Sequence, residues 1–401
     1  MPNLLFYING RRVEIGQPDP TTLLVDWLRS DEIGLTGTKL SCGEGGCGAC
    51  TVMLSRWDPI KKKVDETAIN SCLRPLASID GAMITTTEGI GSTRDKLDPV
   101  QFRLAAFNGS QCGYCSPGFV MNMFTFLRNN PKPVQQEIED LFDGHICRCT
   151  GFRPILEGMR SFAVDFKKND KYHTNHRCRP GIEVEQHLGP QPSLTFPDEL
   201  KSYKPSLHEW TGRGYEWFAP ATLAEAQGIK ATHGGNSRNV KLVVGNTSIG
   251  IYKAPEYDPH VLIDIAQLTE LLGFSTDDAG VNIGAAESLS NVVDELQKLI
   301  ATKPKGKTKG FVAFRKHLLD VANLQVRNIG SIGGNVMMTR AQAETAQPFP
   351  SDVYMVLATL GASITIASRE GNTTYPIMEL PAPSHLPGDA IAQTIHLPYS
   401  N

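Results

Sequence analysis

The chain has 401 residues, 40% of them hydrophobic and 20% charged, an ordinary globular composition that excludes a disordered, collagenous or coiled-coil chain and predicts two or three domains. With 39 basic against 42 acidic residues and a formal net charge of -3, no overall positive field points to a nucleic acid partner. No window approaches about 20 uncharged apolar residues and the opening Met1 to Gly10 lacks the pattern of a secretory leader, so no membrane partner is expected. The nine cysteines then read as metal thiolates of a soluble, cytoplasmic chain, a peroxisome being the other compartment left open, rather than as disulfides.

In chain order, Leu4, Phe6 and Ile8 alternate, Asn9-Gly10 is a favoured two-residue turn, and Val13 and Ile15 resume the alternation, which predicts a hairpin over 4–15. A helix follows, capped by Thr21-Thr22, with Leu23, Leu24, Trp27 and Leu28 on one face and Gly34 closing the region. Strands over 51–54 and 83–87 complete an α+β module spanning 1–90. From 93 to 165 the period is helical. Phe119, Val120, Met123, Phe124 and Leu127 form a stripe behind Pro117, ended by Pro131 and Pro133. Helices are expected near 134–142 and 154–166, the second burying Ile155, Leu156, Met159, Phe162 and Phe166; these Met and Phe residues read as core. Residues 167–212, interrupted by Pro180, Pro190, Pro192, Pro197 and Pro205, read as a linker. Beyond it, the runs Leu242-Val243-Val244 and Val261-Leu262-Ile263 alternate with helical segments near 223–229, 292–300 and 311–321, predicting an α/β domain. The basic run Lys303 to Lys309 reads as a solvated loop.

The chemistry is concentrated in the cysteines. Cys42, Cys47 and Cys50 give C-x4-C-x2-C and Cys72 follows, the plant-type spacing for one [2Fe-2S] cluster, in which each tetrahedral iron takes two sulfides and two thiolates. Gly43, Gly45, Gly46 and Gly48 suit a loop wrapped closely around such a cluster. Cys112 and Cys115 with Cys147 and Cys149 form a second set at helix ends. From spacing alone either a second cluster or a structural zinc is open, and the tight C-x-C favours the cluster. Cys178 is left over in the linker and reads as a free thiol.

The stretch Gly37 to Leu54, with Cys42-Gly43-Glu44-Gly45-Gly46-Cys47-Gly48-Ala49-Cys50 at its centre, resembles xanthine dehydrogenase and aldehyde oxidase, the molybdenum hydroxylases, and lies nearer to the former. So do Gln111-Cys112-Gly113-Tyr114-Cys115-Ser116-Pro117-Gly118 and Cys147-Arg148-Cys149-Thr150-Gly151-Phe152-Arg153-Pro154, in a match running from Leu5 to Phe166. The resemblance implies two [2Fe-2S] clusters, one in a β-grasp ferredoxin-like domain over 1–90 and one in a helical domain over 91–166. It also implies that Gln111 and Cys149 lie beside the pterin of a molybdenum cofactor.

Tyr215 to Leu223 resembles the opening of the family's PCMH-type FAD-binding domain, here 213–401. Lys241-Leu242-Val243-Val244-Gly245-Asn246-Thr247-Ser248-Ile249 resembles its diphosphate loop, where amides and a hydroxyl can cradle phosphate oxygens. Asn328 to Asn335, with Ser331, Gly334 and Asn335, supplies a second glycine turn, and Ser351-Asp352 resembles the family's Ser-Asp pair near the flavin. The sequence departs from the pattern at Ser248 and Met338, around 341–348 and at Tyr354-Met355. The match stops at Ile395 to Ser400, so the FAD domain is expected to be incomplete at its C-terminus and the molybdenum portion to lie elsewhere. The function implied is an oxidoreductase's electron-transfer portion, passing electrons from a molybdenum centre through both clusters to FAD and then to NAD or O2. Implied partners are a molybdenum-binding domain or subunit in trans, one of those acceptors, and a second copy in a homodimer. The other reading is a truncated, non-catalytic product that binds clusters or dimerises with the full-length enzyme.

Overall fold

The computed structural model describes residues 3–94, 96–166, 194–252, 258–343, 345 and 348–400. They fall into two units, Asn3–Gly16 with Thr22–Tyr203, and Gln17–Thr21 with the chain from Lys204 onward. Cys178 lies outside the described residues.

In the first unit β1 (Leu4–Ile8) and β2 (Arg11–Ile15) pair antiparallel about Asn9 and Gly10, whose φ of 49° and 80° are the left-handed values that a hairpin turn of this kind needs. β1 buries Leu4, Phe6 and Ile8 as the alternation predicts. The helix that follows, α1 (Leu24–Arg29), has Leu23 at its N-cap rather than the expected threonines. Its first amides are satisfied by tertiary partners: Leu24 N–H donates to the Arg74 carbonyl and Val25 N–H to that of Ser71. β3 (Thr51–Asp58), β4 (Lys63–Asn70) and β5 (Ala82–Thr85) complete a sheet of order β2-β1-β5-β3-β4, with β1 and β5 parallel. β3 runs on past the predicted 54 because β4, a strand the sequence reading lacked, pairs with it along its whole length.

Helices α2 (Pro99–Ala106), α3 (Ser116–Asn129), α4 (Gln135–Leu141) and α5 (Arg153–Arg160) form the second half of this unit. α3 starts one residue after Cys115 with Pro117 in its first turn, and buries Phe119, Val120, Met123 and Phe124. It packs against β3 and β4. α5 stops at Arg160, short of the predicted 166. Ile155 and Met159 are buried, but Leu156, Phe162 and Phe166 are only partly so, the Phe162 ring carrying the Arg103 guanidinium 3.9 Å from its centroid. Part of the expected linker is built structure. The short helix α6 (Asp198–Lys201) follows Pro197, with Phe196 and Leu200 buried against Met83 and the Tyr203 hydroxyl donating to Asp80.

The second unit begins with β6 (His208–Gly212), also inside that stretch, paired to β7 (Tyr215–Ala219). With α7 (Leu223–Thr232), β8 (Val240–Val243) and β9 (Val261–Asp264) these make a sheet of order β6-β7-β9-β8, parallel from β7 onward. Next come β10 (Phe274–Thr276), β11 (Gly280–Gly284), α8 (Leu289–Thr302), α9 (Lys309–Leu319), α10 (Leu324–Arg327), α11 (Ile332–Gln342), α12 (Asp352–Thr359), β12 (Ser363–Ser368), β13 (Gly371–Pro376) and β14 (Ile391–Pro398). The second sheet is antiparallel, in the order β10-β11-β14-β12-β13. Its core gathers Ile283, Leu296, Phe311, Phe314, Ile364 and Ile395, so the apolar residues of β14 sit at its centre. The basic run leads from α8 into the first residue of α9, Lys309, with Lys303 and Lys307 5.9 and 5.4 Å from the Tyr399 ring centroid. Among the described residues no helix is long and apolar enough to cross a membrane.

Candidate cofactor sites

The first cysteine loop hangs between β1–α1 and β3. The β3–β4 ladder ends at Thr51↔Asn70, so Cys50 and Ser71 stand one step past it and Cys72 follows. The Ser71 hydroxyl donates to the Cys50 carbonyl at 2.7 Å, holding the two cysteines together. Asn70, fully buried, donates Nδ2–H to the Gly45 carbonyl at 2.9 Å, with Oδ1 3.7 Å from the Cys50 sulfur. Gly43, Gly45 and Gly48 have φ of 66°, 75° and 71°, while Gly46 does not share this conformation.

The thiols pair two by two. Cys42 interacts with Cys47, and Cys50 with Cys72. Burial pushes the Cys42 thiol up, but amides of Glu44, Gly46 and Cys47 and the Cys47 thiol outweigh it and the net shift is down. Cys47 is raised by burial. The Cys72 hydrogen bond lowers Cys50, and the same contact together with burial raises Cys72. In each pair, then, hydrogen bonds bring one thiol down while burial and the neighbouring thiol push the other up.

The second set repeats the arrangement. Cys112 pairs with Cys149 and Cys115 with Cys147, so each partnership joins the α3 end to the turn before α5. Cys115 is the N-cap of α3, and burial pushes its thiol up to about 12. The Cys147 thiol is raised by burial, but the Thr150 hydroxyl, with oxygen 3.1 Å from sulfur, and the Thr150 and Cys149 amides bring it down overall. The Tyr114 amide lowers exposed Cys112; Cys112 in turn raises exposed Cys149. Gln111 is exposed beside Cys112. Among the described residues no three His, Cys, Asp or Glu side chains converge on a single ion position. Two thiol pairs in each set suit two irons bridged by sulfide.

The two loops touch. The Ile146 amide donates to the Cys47 carbonyl at 3.2 Å, and the Tyr114 hydroxyl to the Leu40 carbonyl. A Cβ on Gly118 would lie 2.1 Å from the Gly48 carbonyl oxygen, so α3 meets the first loop backbone to backbone. His145 fills the seam, its Nε2 3.4 Å from the Thr51 hydroxyl and its ring 4.8 Å from that of Phe119. Burial lowers its pKa to about 4, which keeps it neutral. Asn70 and His145 were not singled out in the sequence; each stands two residues before a cysteine, and spacing carries no signal for them.

In the second unit three distant segments meet. A Cβ on Gly245 would lie 2.0 Å from the Ile329 carbonyl oxygen and one on Gly330 3.5 Å from the Thr247 hydroxyl, so the two glycine turns are in contact. Ser351 joins them, donating to Asn335 Oδ1 at 2.5 Å while accepting from the Tyr354 amide at 2.9 Å. The first amides of α11 are already used: Ile332 donates to Glu287, Gly333 to Ala285 and Gly334 to the Ser331 hydroxyl. The amides of Gly245, Thr247 and Ser248 donate to no group among the described residues. These, rather than the α11 end, suit an anionic diphosphate. Lys241 is buried, its Nζ donating to Asn246 Oδ1 at 2.8 Å, and burial lowers its pKa to about 8. Val240, Leu242 and Val244 pack against the core of this sheet, and Val243 is itself buried. Asp352 lies in the first turn of α12, where Ser351 is the cap.

Family models match in the same order: a 2Fe-2S iron-sulfur cluster binding domain over 6–76, a [2Fe-2S] binding domain over 86–160, and an FAD binding domain in molybdopterin dehydrogenase over 213–400. The chain is 38% identical over 417 residues to the xanthine dehydrogenase/oxidase of Gallus gallus, covering 94% of this chain and 30% of that protein. It is 36% identical over 427 residues to aldehyde oxidase 2 of Macaca fascicularis, covering 99% of this chain and 31% of that protein. It therefore spans about a third of the length of these relatives. With its two [2Fe-2S] domains and its FAD-binding domain in the relatives' order, the chain belongs to the xanthine dehydrogenase and aldehyde oxidase family.

Proposed function

We propose that this chain is the electron-transfer portion of a xanthine dehydrogenase- or aldehyde oxidase-like oxidoreductase, with domains over 1–90, 91–166 and 213–401. Cys42, Cys47, Cys50 and Cys72 hold one [2Fe-2S] cluster, and Cys112, Cys115, Cys147 and Cys149 the other. FAD lies on the turn Lys241–Ile249, with Ser331, Gly334, Asn335, Ser351 and Asp352 around it. The carrying observation is the division of each cysteine set into two thiol pairs. When bound, the clusters supply one-electron carriers and the flavin exchanges single electrons for pairs.

The chain's own residues do the rest. Exposed Cys112 and Cys149, beside Gln111, present the second set to a molybdenum-binding domain or subunit, where a purine or aldehyde would be oxidised. The seam at Gly48, Gly118 and His145 holds the two cysteine loops in contact, with the buried imidazole kept neutral. NAD or O2 would accept electrons at the flavin.

The test is cofactor content after anaerobic purification. About four iron, four sulfide and one FAD per chain are expected, and Cys72→Ser and Cys149→Ser should each remove one cluster's electron paramagnetic resonance signal and spare the other. Zinc in place of iron, or loss of both signals from one substitution in a folded chain, overturns the assignment.

A further inference from the structure

Lys241 is an anomaly of the second unit: a lysine in a parallel strand, 9% exposed, with no carboxylate partner among the described residues. Burying an ammonium costs stability unless its hydrogen bonds are replaced, and its one hydrogen-bond partner among the described residues is Asn246 Oδ1 at 2.8 Å. Asn246 has φ of 57°, in the left-handed region that asparagine enters more readily than other side chains but less freely than glycine. It is also the hinge of the turn, lying between Gly245, whose α-carbon presses on the Ile329 carbonyl, and the undonated amides of Thr247 and Ser248.

We infer that Lys241 is a positioning residue for the flavin site: its ammonium grips the Asn246 side chain, holds that residue left-handed, and so aims the Gly245–Ser248 amides at the diphosphate. This deepens the flavin reading above and rests on it. The competing role for a buried cation here is direct neutralisation of the phosphates. The two roles differ in one respect. A clamp becomes dispensable when residue 246 is glycine, which takes positive φ unaided, whereas phosphate neutralisation does not.

The experiment compares full-length wild type, Lys241→Met, Asn246→Gly and the double variant, each stripped of flavin and titrated with FAD, alongside amide hydrogen exchange of 245–250. Lys241→Met should weaken FAD binding by about tenfold, as loss of a charge-assisted hydrogen bond does, and speed exchange in the turn. Asn246→Gly sets its own baseline, and adding Lys241→Met to it should change FAD affinity by less than about threefold and leave exchange no faster than in Asn246→Gly alone. Wild-type affinity in Lys241→Met overturns the inference. So does a loss that Asn246→Gly leaves unrescued, which assigns the cation to the phosphates. Should wild type bind no FAD, the flavin reading fails by itself. The clamp is then judged by exchange alone: acceleration in Lys241→Met reversed in the double variant supports it, and unchanged exchange overturns it.

Discussion

Gly118→Ala sets two physical effects against each other. Gly118 sits in the first turn of α3, and on helix propensity alone alanine should stabilise by about 1 kcal/mol. The added Cβ would lie 2.1 Å from the Gly48 carbonyl oxygen and 3.3 Å from the Ala49 α-carbon. Both obstacles are backbone, so no side chain can swing aside; helix or loop must retreat by about 1 Å through a close-packed seam. Overpacking of this kind costs about 3 kcal/mol at the upper end of its range, leaving a net loss of about 2 kcal/mol. For a unit of this size that lowers the melting temperature by about 4–8 °C. Thermal unfolding followed by far-ultraviolet circular dichroism and visible cluster absorbance measures it, with Gly16→Ala as control, since a Cβ there meets only Asn3 Oδ1 at 3.6 Å. A Gly118→Ala chain as stable as wild type or more so would show that α3 does not bear on the Gly48 loop.

Gly245→Ala should abolish flavin binding and spare both clusters, because its Cβ would lie 2.0 Å from the Ile329 carbonyl oxygen; undiminished FAD content refutes this. Asn70→Ala strands the Gly45 carbonyl and should cost about 1–3 kcal/mol, changing the paramagnetic signal of the first cluster alone; a shift in the second signal instead would count against it. Asp98 caps α2, and burial raises its pKa to about 6. Since the folded value lies above the unfolded one, its ionisation destabilises the fold as pH rises through about 6, an effect absent below the unfolded pKa near 4. Asp98→Asn keeps a cap acceptor and should therefore raise the melting temperature at pH 7.5 but not at pH 4; an equal gain at both values would assign the effect to something other than charge.

What could be read in the sequence was local. Asn9-Gly10 between alternating apolar residues forms the hairpin, and the Phe119 to Phe124 stripe behind Pro117 forms α3, because each signal is complete within a few positions. The cysteine spacings named both sets for the same reason. Which sulfur partners which was hidden, since Cys112 with Cys149 and Cys115 with Cys147 are joined by the packing of α3 on the turn before α5. β4 escaped notice because Lys63, Asp65 and Glu66 break the alternation of a strand held by its neighbour β3. Phe196 and Leu200 were lost among prolines, although both are buried against Met83. In the flavin turn the motif was visible, but the use of the α11 amides by Glu287, Ala285 and Ser331 was not, since those partners are tertiary or depend on cap geometry.

The backbone contact between Gly48 and Gly118 bears on how the protein is loaded. The loop carrying Cys42, Cys47 and Cys50 leans on the helix that Cys115 begins, so whichever site takes iron first stiffens the scaffold of the other and lowers the entropy that the second must lose. Occupancy of the two sites is therefore expected to be positively cooperative: under limiting iron, empty and doubly filled chains should outnumber singly filled ones, which native mass spectrometry would count.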